Sequence, residues 1–160
     1  MAATFRVELV TPERVLYEGE AEEVSMRTDE GEIAFLARHE DFVGAVDISV
    51  VRIAGPGAAA GEGTEVRAAV HGGFVHVDAE KVQILAGVAE LAGEIDVARA
   101  RRALEAAEAR AEVVEAGPEA VPGAERLVGA MLGLLAPDSA EAARRRARVR
   151  LEAAGAAPGS

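Results

Sequence analysis

The period of the hydrophobic pattern changes once along this chain, close to Asp96, and that change divides what its two parts can fold into. Before it, apolar and polar residues alternate. Phe5, Val7 and Leu9 interleave with Arg6 and Glu8, Val24 and Met26 with Ser25 and Arg27, and Val66, Ala68 and Val70 repeat the pattern. A period of two belongs to strands with one buried face. Turn signals punctuate the run: Thr11-Pro12, Gly19, Asp29-Glu30-Gly31-Glu32 and Asp78-Ala79-Glu80-Lys81. Gly44 and Asp47 read as breaks inside the Val- and Ile-rich stretch Phe42–Ile53, and residues 55–63 as a flexible Gly-rich loop. Many short strands closely spaced between turns imply a β-sandwich or a small barrel.

From Asp96 the period becomes helical. Asp96 is placed as an N-cap before an Ala-rich run with Arg99, Arg101, Arg102 and Glu105, which Gly117-Pro118 stops. Leu127, Val128, Met131, Leu132, Leu134 and Leu135 make an apolar face over about three turns between Pro122 and Pro137. Asp138, with Glu141 as a capping box, opens a last helix that ends at Gly155. The expected fold is a β-sandwich over residues 1–92 followed by a C-terminal α-helical hairpin over 93–160. Residues 118–137 leave room for an extra short helix, and the tail 156–160 is expected to fray. Alanine favours helix without tertiary help but offers little area to bury. The arm is therefore expected to dock weakly and to be able to detach.

Charge divides at the same place. Residues 1–94 carry 18 acidic and 7 basic side chains, and residues 95–160 carry 10 of each. The net charge of -11, with four Phe, one Tyr and no Trp, argues against a nucleic-acid partner. With no cysteine, a disulfide framework, a zinc knuckle and a thiol nucleophile are excluded. No apolar run approaches the ~20 residues of a membrane span, and the first residues lack the basic-then-apolar pattern of a secretory signal. The expectation is a soluble, cytoplasmic protein.

No catalytic residues are assigned. None of Ser25, Ser49, Ser139 and Ser160 sits in a nucleophile elbow, and the Gly-rich stretch 55–63 has no Lys to make a phosphate loop. His39-Glu40-Asp41, His71 and His76 match no recurrent metal spacing, so no metal site is assigned. Lys81 in its hairpin suggests an acylated carrier lysine, yet lacks the flanking pattern of such domains. This leaves a free-standing β-sandwich carrier or small-ligand-binding domain as the alternative reading. Arg144, Arg145, Arg146, Arg148 and Arg150 crowd the last helix, and suit an acidic protein partner or a phosphate ligand.

Several segments carry a resemblance. Val24–Val46, above all Asp29-Glu30-Gly31-Glu32-Ile33 followed by His39, resembles the epsilon subunits of bacterial F-type ATP synthases. So do Val7-Glu8-Leu9-Val10-Thr11-Pro12-Glu13, Gly72-Gly73-Phe74-Val75-His76-Val77 and Val82–Glu90. The junction Ile95-Asp96-Val97-Ala98-Arg99-Ala100 is similar to that family's Ile/Leu-Asp-x-x-Arg-Ala motif. The resemblance spans residues 4–115 in the family's order.

The resemblance implies a sandwich of about ten short strands and a pair of C-terminal helices, in a non-catalytic subunit of the central rotor stalk. It implies gamma and the membrane ring of c subunits as partners of the sandwich. It also implies contact of the arm with the catalytic beta and alpha subunits, where it inhibits ATP hydrolysis. The subunit would lie at the cytoplasmic face of the cell membrane, held there only through the complex, and would require no cofactor, with ATP as a regulatory ligand. On this sequence the ring and gamma contacts fall on Glu30, Gly31, Glu32, His39, Glu40, Asp41 and Phe42. Ala37-Arg38-His39 stands where the family has Pro-Gly-His, which alters the residues that fix the turn. Nucleotide contacts fall on Glu90, Ile95, Asp96, Arg99, Ala100, Arg146 and Arg150, and the inhibitory surface on the five arginines of the last helix.

Overall fold

Alternation of Val, Ile, Leu and Phe with polar residues gives eight strands among the described residues of a computed structural model, which are 3–57, 64–116 and 137–156. They are β1 (Phe5–Val10), β2 (Val15–Ala21), β3 (Glu23–Thr28), β4 (Gly31–Leu36), β5 (Phe42–Ala54), β6 (Glu65–Val77), β7 (Lys81–Ala86) and β8 (Ala89–Leu91). A 3-10 turn at Ala92–Glu94 leads to α1 (Val97–Ala116), and α2 spans Pro137–Ala153. Hydrogen bonding orders the strands β2-β1-β7-β6-β5-β3-β4, with β8 also on β6; β1 and β7 are parallel and the other pairs antiparallel.

This single hydrogen-bonded sheet folds over into two layers, and the corner is made by β5 and β6. Their ladder pairs Val46 with Gly73 and Ile48 with His71, leaving Asp47 and Gly72 between. Gly72 and Gly73 have φ of +90° and +152°, and a Cβ on Gly73 would stand 2.2 Å from the Leu85 carbonyl oxygen. Only glycine fits where one backbone turns against another. The expected breaks at Gly44 and Asp47 therefore bend a thirteen-residue strand without ending it. With β5 and β6 each serving both layers, eight strands supply the about ten segments the resemblance implied. The layers enclose one core, in which Val7, Leu9, Val24, Phe35, Val70 and Ile84 are fully buried. Phe35 and Phe42 meet across it at 5.4 Å.

The turns follow from their residues. Thr11 Oγ1 donates to the Arg14 carbonyl, and Asp78 Oδ1 accepts from the N–H groups of Glu80 and Lys81. Arg38, where the resemblance implies a glycine, adopts φ of +64°, a left-handed backbone that costs a residue with a Cβ.

The helices form an antiparallel hairpin along an apolar seam of Ala100, Leu104, Ala147 and Leu151. Asp96 Oδ1 accepts from the Arg99 N–H at 2.9 Å and so caps α1. α2 ends in a Schellman motif: Gly155 at φ +70° donates to Glu152, and Ala156 donates to Leu151. The apolar segment 118–136 and the Asp138 side chain lie outside the described residues, as does most of the tail; α2 begins at Pro137, one residue before the expected Asp138 cap, and Glu141 is exposed on it.

Candidate functional site

α2 rests on the outer face of β5 and β6. Cross-strand pairs Val50–Ala69 and Ile48–His71 present that face, and Ala69 packs with Ile95, Val149 and Ala153. The contact is thin because alanines supply half of this buried cluster. Charge reinforces it along both flanks of the helix. Arg145 meets Asp47 at 2.5 Å, Arg52 meets Glu152 at 3.0 Å, and Arg150 Nε donates to Glu90 of β8. Arg148 turns to α1 instead, meeting Glu108 at 3.4 Å.

At the foot of the hairpin, Glu90, Glu94, Asp96, Arg99, Ala100 and Arg150 line a cleft of about 160 Å³, with Ala103 completing it. Five of the seven residues expected to meet nucleotide thus share one cleft. Ile95 is buried beneath it in the α2 seam. Arg146 lies one helical turn from Arg150, about 6 Å along the axis, beside His71 and outside the cleft lining. Arg14 binds Glu94 at 2.6 Å and thereby lowers its pKa. The cleft is smaller than the roughly 300 Å³ at which small-molecule sites begin. It has room for a phosphate-sized group and is too small for a whole nucleotide.

A second groove, about 430 Å³, runs between α2 and the outer face of β3–β5, with Arg27, Glu32, Arg52 and Arg145 among its lining residues. Arg52 and Asp47 take part in arm docking and were not singled out for it by sequence. Their partners are far away in the chain, and no local spacing marks them.

The residues expected at the rotor contacts separate into two places. The turn of Glu30 and Gly31 is closed by Thr28, whose hydroxyl donates to the Gly31 carbonyl and accepts from the Glu30 N–H. It lies beside the sheet corner, where the Asp29 N–H donates to Ala45. Glu32 is exposed at the start of β4. His39, Glu40 and Asp41 occupy the loop at the other end of β4, about 20 Å away along a six-residue strand. There His39 packs edge-on against Phe35 at 5.0 Å, and Phe42 begins the second layer.

On the outer face of the other layer, beside the polar row of Glu8, Gln83 and His76, runs an apolar stripe with no cover among the described residues. Val15, Val10, Leu85, Phe74 and Ala45 are consecutive cross-strand neighbours over β2, β1, β7, β6 and β5. Phe74 is 62% exposed and Leu85 46%, while their neighbours Val75 and Ile84 are fully buried. A continuous exposed apolar stripe of this kind marks an interaction surface. Lys81, by contrast, is tied to Glu8 at 2.7 Å, which lowers the Glu8 pKa and leaves no projecting lysine for carrier chemistry.

Comparison with known proteins accounts for this arrangement. Residues 4–92 match the family model of the ATP synthase delta/epsilon chain β-sandwich domain. The ATP synthase epsilon chain of Thermobifida fusca is 52% identical over 107 residues, covering 66% of this chain and 75% of that one. The epsilon chain of Streptomyces griseus is 44% identical over 112 residues, covering 70% and 86%. A chain in the Euglena gracilis mitochondrial ATP synthase structure of OSCP, F1 and c-ring superposes with a TM-score of 0.69 at 25% identity, covering 95% of this chain and 81% of that one. The match reaches beyond the sandwich to the helical arm, and the chain belongs to the epsilon-chain family of ATP synthases.

Proposed function

We propose that this chain is a non-catalytic rotor subunit that couples gamma to the c ring through its sandwich and restrains ATP hydrolysis through its arm. The observation that carries the reading is how α2 is held. A thin, alanine-rich seam is supplemented by ion pairs from Arg145 and Arg150 to Asp47 and Glu90. Ion pairs that keep contact with solvent contribute about 1 kcal/mol or less each, so the arm is fastened by terms that other acidic surfaces can replace. Detached, α2 offers Arg144, Arg145, Arg146, Arg148 and Arg150 to acidic segments of the catalytic beta and alpha subunits.

The bare stripe centred on Phe74 and Leu85 suits a permanent apolar partner and is assigned to gamma. The loop of His39, Glu40, Asp41 and Phe42 continues into that layer and extends the same contact. The acidic turn of Glu30, Gly31 and Glu32 is assigned to basic loops of the c ring. No described helix is long and apolar enough to cross a membrane. Attachment at the cytoplasmic face of the membrane then comes from the complex.

ATP is proposed as a regulatory ligand of the Glu90–Asp96–Arg99–Arg150 cleft. Asp96 keeps its capping role while Arg99 and Arg150 take phosphate oxygens, Arg150 exchanging Glu90 for the ligand. Titration of ATP into the isolated protein should saturate, and Arg99→Ala should weaken it; absence of saturable binding would remove ATP from the account. For the rotor reading, deletion of residues 95–160 should leave assembly with gamma intact and raise ATPase activity. Loss of gamma binding on that deletion would contradict the division of roles.

A further inference from the structure

Of the chain's three histidines, His71 is the one beneath the arm. It lies on β6 opposite Ile48 and two residues after Ala69, on the face that α2 covers. Its backbone N–H donates to the Val88 carbonyl at 3.0 Å. Its Nε2 is shielded from solvent and has no hydrogen-bond partner among the described residues. The charged groups facing it are Arg146 and Arg150 of α2 and Glu90 of β8. On β5 the neighbouring carboxylate, Asp47, is engaged by Arg145, and the Gly72–Gly87 contact beside β7 brings no charge.

This is a poor place for an added proton. Two guanidinium groups face the imidazole against a single carboxylate, and that carboxylate is already bound to Arg150. His71 is half-buried and also borders the open groove of Gly72, Phe74 and Leu85, so only its Nε2 is shielded; once α2 lifts away, that nitrogen gains access to water and the ring loses both arginines. We propose that His71 is a proton-responsive latch, whose protonation releases α2 from the sandwich as the surrounding solution acidifies. The latch rests on the reading above that the arm can detach.

Burial first, and then Arg150 and Arg146 against the opposing pull of Glu90, lower the His71 pKa from 6.5 to about 4 in the docked state. The docked form therefore binds fewer protons than the detached form. Its stability is complete above pH 6.5 and declines as pH falls from 6.5 towards 4. Between pH 7.5 and 5.5 the docking equilibrium should fall roughly three- to tenfold, the upper figure applying if the whole shift is relieved on release.

The chain has no cysteine, so Glu20→Cys on β2 and Glu141→Cys on α2 give a clean dye pair for single-molecule energy transfer on the full chain. The docked-to-detached ratio should drop three- to tenfold between pH 7.5 and 5.5, and should stay level in His71→Gln. A single population at both pH values overturns the detachable arm and the latch together. Two populations in an unchanged ratio, or an equal drop in His71→Gln, overturn the latch alone. If His71→Gln does not fold, the titration of the wild-type imidazole by NMR decides. A His71 signal moving near pH 4 while the arm is docked supports the latch, and one moving near 6.5 overturns it.

Discussion

Arg150 of α2 and Glu90 of β8, sixty residues apart in sequence, form a partly buried ion pair that closes the foot of the helical arm onto the sandwich. The pair also lines the cleft at the start of α1, so arm position and cleft opening are linked through the same two side chains. A double-mutant cycle with Arg150→Ala and Glu90→Ala should return a coupling of about 1 kcal/mol for arm docking, read from the dye-pair populations. Additive effects of the two substitutions would show that the contact does not hold the arm.

Gly73 is the steric limit of the corner. Replacement by alanine places a methyl 2.2 Å from the Leu85 carbonyl oxygen at φ +152°. One of the two strands must shift, and β6–β7 pairing runs from Gly73–Ala86 onward. Gly73→Ala should destabilise the sandwich by about 2–3 kcal/mol in urea unfolding. A loss below about half a kcal/mol would mean that the corner relaxes freely.

Arg38 carries the opposite prediction. Its left-handed backbone costs about 1–2 kcal/mol for a residue with a Cβ. Glycine removes that strain and returns part of it as unfolded-chain entropy. Arg38→Gly should raise stability by about 0.5–1 kcal/mol in the same assay, and destabilisation would show that the arginine side chain itself supports the loop.

The apolar stripe is separable from stability. Phe74 and Leu85 face outward, with the core on the other side of their strands. Phe74→Ser with Leu85→Ser should leave the unfolding midpoint within the range of surface substitutions while weakening co-purification with gamma by at least tenfold. Unchanged gamma binding would move that interface elsewhere.

The sandwich was legible because its residues state their side of the sheet. Leu9, Ile84 and Val75 alternate with Glu8, Gln83 and His76, and each apolar member is buried. The corner was less legible: Gly44 and Asp47 look like strand ends, and only the pairing of β5 with Gly72-Gly73 shows them bending a continuous strand. The face chosen by α2 was not legible. Ala69 and His71 look like any strand alternation, and alanine on the helix marks no preferred side. The cleft emerged because Asp96, Arg99 and Ala100 sit within one motif and its turn. The expected proximity of Arg146 to Arg150 holds along the helix, yet one turn carries Arg146 up to His71. The rotor-contact residues looked contiguous in sequence from Glu30 to Phe42, but β4 runs between their two groups and holds them apart.

Locking the arm tests the central claim most directly. Asp47→Cys and Arg145→Cys, bridged by a short bis-maleimide before reconstitution, would hold α2 on the sandwich in a chain with no other cysteine. The complex rebuilt with the bridged subunit should hydrolyse ATP at the rate seen after deletion of residues 95–160, well above that of the unbridged double variant. Hydrolysis that remains as restrained with the arm locked down as with the arm free would contradict the account.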